Sequence, residues 1–228
     1  MFVKSCLHFH PVKIIIFDLD GTIVDNQDIL LQAFKYSYSN TMVPYPGDEA
    51  IRELFGKDLK TIMQTLNYPM QKYTMFKETF SKFLSNHPSS KIVPGMIDVL
   101  NELKFQKFTM ALVTSKSRKL VNDELITLGI REFFSAIVDE SSTTVHKPDP
   151  APLLKACELL DVVPSSAIPY VGDSRFDMIA ACRAGLFPIG VTWGVHGKDV
   201  VANLPQNCPQ PPIFDSPMDL LQFLKNLH

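Results

Sequence analysis

The spacing of apolar positions changes character twice along the chain, and that change predicts the architecture. Residues 12–17 (VKIIIF) form a short β-branched run without polar alternation, as expected for a strand buried on both faces of a parallel sheet. From 26 to 87 the apolar residues instead recur at helical spacing. Ile29, Leu30, Ala33 and Phe34 make one stripe, and Phe76, Phe80, Phe83 and Leu84 another. Pro44, Pro46-Gly47, Gly56 and Pro69 punctuate this block, which reads as about four helices and no strand. After Pro94-Gly95, short apolar runs alternate with helical stripes. The pattern predicts strands over 108–113, 135–139, 168–171 and 188–192, with a last edge strand at 213–214. It predicts helices over 96–105, 117–128, 151–160, 175–184 and 217–227. Gly129 and Gly185 stand where helix C-caps fall, and Asp149-Pro150 offers an N-cap and an N1 proline. The proline-rich stretch 205–212 reads as a surface loop.

Strands and helices alternating at this spacing imply right-handed βαβ crossovers. The fold class is therefore α/β: a doubly wound, Rossmann-like parallel sheet interrupted after its first strand by an all-helical insertion. The predicted core comprises 1–24 and 89–228, the cap 25–88, with hinges near 22–26 and 88–95. The insertion accounts for a length of 228 residues, too great for a minimal five-strand domain and small for two full ones.

Composition narrows the partners. The net charge of −2 gives no electrostatic footprint for nucleic acid or an anionic membrane. No run approaches the ~20 apolar residues of a bilayer span, and residues 1–11 lack the apolar core of a secretory leader. Cys6, Cys157, Cys182 and Cys208 include no CxxC pair. Reduced thiols and a cytoplasmic location are expected, with the protein a monomer or weak homodimer. His8 and His10 alternate but lack further ligands, and read as surface residues.

In doubly wound sheets, ligands bind beyond the carboxyl ends of the strands. Four polar clusters fall there: Asp18/Asp20, Thr114/Ser115, Lys147 and Asp173/Asp177. Asp18 and Asp20, two residues apart, would leave one side of an extended chain. Paired carboxylates repel unless a cation lies between them, and Mg²⁺, a hard cation, suits oxygen ligands. Gly21 permits a sharp exit from the strand. The hydroxyls of Thr114 and Ser115 can hold a phosphoryl oxygen. Lys147, its approach restricted by Pro148, can neutralise both a carboxylate and an arriving phosphate. Asp173 and Asp177 are neighbours on one face if a helix begins there.

Together, DLDGT at 18–22, Thr114 after an apolar strand, KPDP at 147–150 and GDSRFD at 172–177 resemble the haloacid dehalogenase superfamily. The helical insertion looks like the small cap of its phosphoglycolate phosphatase-like and β-phosphoglucomutase-like branch. The resemblance implies a Mg²⁺-dependent phosphatase acting on a small phosphorylated metabolite, phosphoglycolate-like, through an aspartyl-phosphate. It makes Asp18 the nucleophile and Asp20 the acid/base, whose backbone carbonyl also ligates the metal. Thr114 and Lys147 would hold the phosphoryl group, with Gly21, Thr22 and Ser115 beside the substrate. Asp173 would complete the metal site, and Asp177 would stand in or just behind it. Arg52, Gly56 and Lys57 fall in a cap segment resembling a specificity loop, where Lys57 would meet the leaving group. A phosphomutase, a pyrophosphatase and a non-catalytic binding protein are the alternatives, and the acid at Asp20 argues for ester hydrolysis.

Overall fold

The computed structural model describes residues 13–87 and 90–227, so His8, His10 and Cys6 lie outside the described residues. The first strand, β1 (Ile14–Phe17), leads through a tight turn into β2 (Val24–Asp25) and then four helices: α1 (Gln27–Asn40), α2 (Asp48–Arg52), α3 (Leu59–Thr65) and α4 (Tyr73–Asn86). The chain returns by β3 (Lys91–Ile92), which pairs antiparallel with β2. This two-strand ribbon at the foot of the cap falls where hinges were expected, and its strands are too short to register as a periodic signal.

The remaining elements alternate: α5 (Met96–Phe105), β4 (Thr109–Val113), α6 (Arg118–Thr127), β5 (Phe134–Val138), α7 (Ala151–Leu159), β6 (Pro169–Gly172), α8 (Arg175–Ala184), β7 (Phe187–Val191), β8 (Ile213–Phe214) and α9 (Pro217–Lys225). Six strands form one sheet in the order β5-β4-β1-β6-β7-β8, every pair parallel. The chain builds outward from β1 through β4 to β5, then crosses back to β6. The carboxyl end of β1 therefore faces the crevice where the winding reverses.

The lack of alternation in β1 is explained by burial on both sides. Ile15 and Phe17 pack into one apolar layer with Val99, Leu100 and Leu103 of α5 and Leu220 and Leu224 of α9. Ile14 and Ile16 pack into the other, with Leu153 and Ala156 of α7 and Ala180 and Ala181 of α8. The cap has a third core of its own, centred on Phe34, Phe76, Phe80, Ile51 and Met63. Phe34 meets Phe80 edge-on with ring centres 4.9 Å apart, a favoured aromatic geometry. No helix among the described residues is long and apolar enough to cross a membrane.

Two local expectations are corrected. Cys182 and Cys208 form a disulfide that ties α8 to the proline-rich loop, in place of reduced thiols; Cys157 is free and buried. Spacing rules detect only pairs close in sequence, whereas folding brings these two Cα atoms to 5.4 Å across a separation of 26 residues. The helix expected from 151 with Pro150 at its first position instead carries Pro150 at the cap position. Asp149 stands one residue before the cap, its carboxylate accepting the Ala151 N–H at 2.9 Å.

Candidate active site

Three carboxylates converge at the carboxyl ends of β1 and β6. Oxygens of Asp18, Asp173 and Asp177 lie within 4.8 Å of one another, all three residues buried. Asp18 leaves the end of β1, where its N–H bonds the Val171 carbonyl of β6 at 2.9 Å. Asp173 follows β6, and the N–H of Val195, in the loop after β7, donates to its Oδ2 at 2.8 Å. Two glycines make room for it. A Cβ on Gly21 would stand 2.1 Å from Asp173 Oδ2, and one on Gly194 2.2 Å from the same carboxylate's Cβ. Gly21 also has φ +77°, in the left-handed region that favours glycine.

Lys147 stands between two of these acids. Its ammonium donates to Asp18 Oδ1 and to Asp177 Oδ1, each at 2.7 Å, with the lysine side chain 2% exposed. Both Asp177 oxygens are occupied by protein donors: Lys147 and the Tyr170 hydroxyl on Oδ1, and the Ser174 amide and hydroxyl on Oδ2. The Ser174–Asp177 pair is a capping box that starts α8. Asp177 thus orients Lys147, while Asp18 and Asp173 keep lone pairs for a ligand.

Burial pushes the Asp18 carboxyl up to about 7 against the opposing charge of Lys147, with Asp177 and Asp20 adding to the rise. Burial raises Asp173 well above the usual carboxylate range, with Asp18 and Asp177 adding to it. Burial alone would lower Lys147, but Asp177 and Asp18 outweigh it and keep the ammonium protonated. Carboxylates so crowded and dry are costly without a compensating cation. The all-oxygen donor set fits a hard divalent ion.

Asp20 departs from the expected pairing with Asp18 across a cation. The strand ends at Phe17 and the chain is already turning, so the extended-chain rule no longer governs where the second carboxylate goes. Asp20 lies outside the three-acid cluster. Its Oδ1 is held by the Lys116 ammonium at 2.7 Å and by the Asn26 amide. Lys116 also bonds Glu124 at 2.5 Å, and these two acids outweigh the cost of burying the ammonium.

The other expected residues separate into those that line the cavity between cap and core and those that do not. Gly21, Ser115 and Lys57 line it, with Asp18, Asp20, Lys147 and Asp173. Ser115 donates its hydroxyl to the Gly56 carbonyl of the cap at 2.9 Å. Lys57 lies 4.7 Å over the Phe176 ring. Thr22, expected beside the substrate, is instead fully buried off the cavity, its carbonyl accepting the Trp193 indole N–H at 3.0 Å. Thr114, expected to hold the phosphoryl group, is instead buried and does not line the cavity, its hydroxyl accepting the Lys116 N–H at 3.2 Å. Arg52 does not line the cavity itself but bonds Gln27, which does, and pairs with Asp28. Sequence reasoning missed Asn26, Lys116, Glu124, Tyr170 and Val195. Only Lys116, next to Thr114-Ser115 at a strand end, had a local signal; the others reach the site through contacts distant in sequence or through a backbone N–H.

Residues 15–191 match the pattern of the haloacid dehalogenase-like hydrolase family. The chain is similar to the pyrophosphatase PpaX of Bacillus cereus, 27% identical over 219 residues that cover 95% of this chain and 98% of the relative. It is also similar to a phosphoglycolate phosphatase of Pseudomonas putida, 30% identical over 203 residues that cover 85% and 74%. A crystal structure described as a predicted phosphoglycolate phosphatase from Haemophilus somnus aligns with a TM-score of 0.78 at 27% identity, covering 94% of this chain and 99% of that one.

Proposed function

The chain belongs to the haloacid dehalogenase-like hydrolase family, and on that premise we propose that it is a Mg²⁺-dependent phosphatase of a small phosphorylated metabolite, working through an aspartyl-phosphate on Asp18. The observation that carries this reading is the buried constellation at the sheet's switch point: Asp18 and Asp173 with open lone pairs, and Lys147 clamped between Asp18 and Asp177. A binding protein would gain nothing from so costly an arrangement.

Asp18 and Asp173, with the Asp20 backbone carbonyl, would hold the metal. When bound, the cation supplies charge neutralisation that lets an anionic carboxylate approach an anionic phosphate. An Asp18 oxygen attacks phosphorus as the ester bond to the leaving alcohol breaks. Lys147 and the donors around Ser115 stabilise charge spreading over the equatorial oxygens. Asp20 gives the leaving oxygen its proton, then takes one from the water that hydrolyses the aspartyl-phosphate. Lys116 and Asn26 fix the Asp20 carboxylate for both tasks, and the cap excludes bulk water. Asp18→Asn should abolish Mg²⁺-dependent phosphate release from p-nitrophenyl phosphate while leaving the circular dichroism spectrum intact. Full activity in that variant would overturn the nucleophile assignment. Phosphoglycolate and pyrophosphate, named for the relatives, belong in the first substrate panel with hexose phosphates. Isomerised sugar without free phosphate would favour a mutase instead.

A further inference from the structure

A cavity open to solvent lies above the three acids between cap and core, and its two ends differ in chemistry. The core end carries the carboxylates, Lys147 and Ser115. The cap end is mainly apolar, with Leu30 and Phe34 of α1, Ile62 of α3, and Phe80 and Leu84 of α4, while Gln27 and Ser81 are its uncharged polar members. In the reaction proposed above, the phosphoryl group occupies the first end and the leaving alcohol the second.

Three of the four lysines that line the cavity among the described residues are already committed to acids. Lys147 is matched by Asp18 and Asp177, Lys116 by Asp20 and Glu124, and Lys77 by Glu140 at 2.9 Å. Lys57 is the one lining lysine that forms no ion pair among the described residues, and it stands at the core end. It packs on Phe176 of α8, and the preceding residue, Gly56, bonds Ser115. A divalent cation and a phosphoryl dianion neutralise each other, which leaves Lys57 to face the transferred group. Among the described residues, no unmatched cation stands along the apolar wall to receive a second anionic group. A carboxylate or second phosphate lodged there would lose hydration and meet no unpaired charge, because Lys77 is already matched by Glu140.

Resting on the phosphatase reading, we infer that the substrate is a phosphate monoester whose leaving alcohol is uncharged and apolar, an alkyl or aromatic alcohol, rather than phosphoglycolate or pyrophosphate. Apolar burial strengthens binding by about fourfold for each methylene removed from water, so chain length should be read directly as affinity.

The test uses n-alkylphosphonates from methyl to hexyl, which resist hydrolysis at the C–P bond, titrated calorimetrically into the protein with Mg²⁺. Affinity should rise about threefold to fourfold per methylene until the cavity fills, and 6-phosphonohexanoate should bind at least tenfold more weakly than hexylphosphonate. Affinity flat along the series, or improved by the terminal carboxylate, would overturn the inference. Leu84→Arg should move the preference toward 6-phosphonohexanoate; an unchanged preference would count against the assigned wall. Turnover of n-hexyl phosphate is measured alongside. Chain-length-dependent binding without release of phosphate from any ester would leave the apolar pocket standing and sink the phosphatase reading. Turnover with a preference for phosphoglycolate would do the reverse.

Discussion

Lys147 donates to Asp18 and Asp177 at 2.7 Å each, and all three side chains are buried. Removing one member of such a group leaves uncompensated buried charge, at a cost of about 3–5 kcal/mol. Lys147→Ala should therefore lower the stability of the metal-free protein by about that amount in urea denaturation and also abolish turnover. Asp139 makes a separate, structural contribution. Burial works to raise its carboxyl, but the Ser141 hydroxyl and amide and the Arg118 guanidinium outweigh burial and hold it below the usual range. A carboxyl depressed by folding stabilises the protein above its unfolded pKa, and that stabilisation is lost as pH falls through the folded value. Asp139→Ala should cost about 1–3 kcal/mol at pH 7. The gap from the unsubstituted protein should narrow below the ordinary value of 3.8, as seen by denaturant melts at both pH values.

At the scale of elements, the cap touches the core through Gly56. A Cβ there would lie 2.4 Å from the Ser174 hydroxyl, and the residue has φ +97°. Gly56→Ala should therefore cost about 1–3 kcal/mol in strain. It should also displace the Ser115–Gly56 bond, raising KM more than it lowers kcat. An unchanged KM would show that the segment does not seat the substrate. The same contact reaches Ser174, the N-cap that sets Asp177 beneath Lys147. One cap residue is thus linked mechanically to the support of the nucleophile.

At the scale of the molecule, the contacts that join cap and core include Ser115 with Gly56 at 2.9 Å, Lys77 with Glu140 at 2.9 Å, and Arg175 with Glu53 at 3.0 Å. The two partly exposed ion pairs each contribute ~0–1 kcal/mol, and the neutral Ser115–Gly56 bond about 1 kcal/mol, weak enough for opening on the timescale of turnover. Hydrogen exchange in the β2–β3 ribbon should slow when Mg²⁺ and a phosphate analogue are added together; no response would argue against a moving cap. Mg²⁺ alone should raise the melting temperature, by the equivalent of about 2.7 kcal/mol at a hundredfold excess over Kd, and chelation should reverse it. Asp173→Ala should lose that response.

The sequence by itself determined the layered parallel sheet, the helical insertion and the residues at the strand ends. These depend on local periodicity and on the rule that doubly wound sheets bind ligands where their winding reverses. DLDGT and GDSRFD located Asp18 and Asp173 because each acid directly follows its strand. Tertiary structure decided which partner each charge receives. It turned Asp20 toward Lys116, filled the lone pairs of Asp177 with protein donors, and buried Thr22 away from the cavity. It also joined Cys182 to Cys208 and paired Lys77 on the cap wall with Glu140 of the core. Each of these outcomes depends on groups far apart in the chain that meet only when the layers close. Sequence spacing carries no information about such distances, while electrostatics and burial depend on them directly.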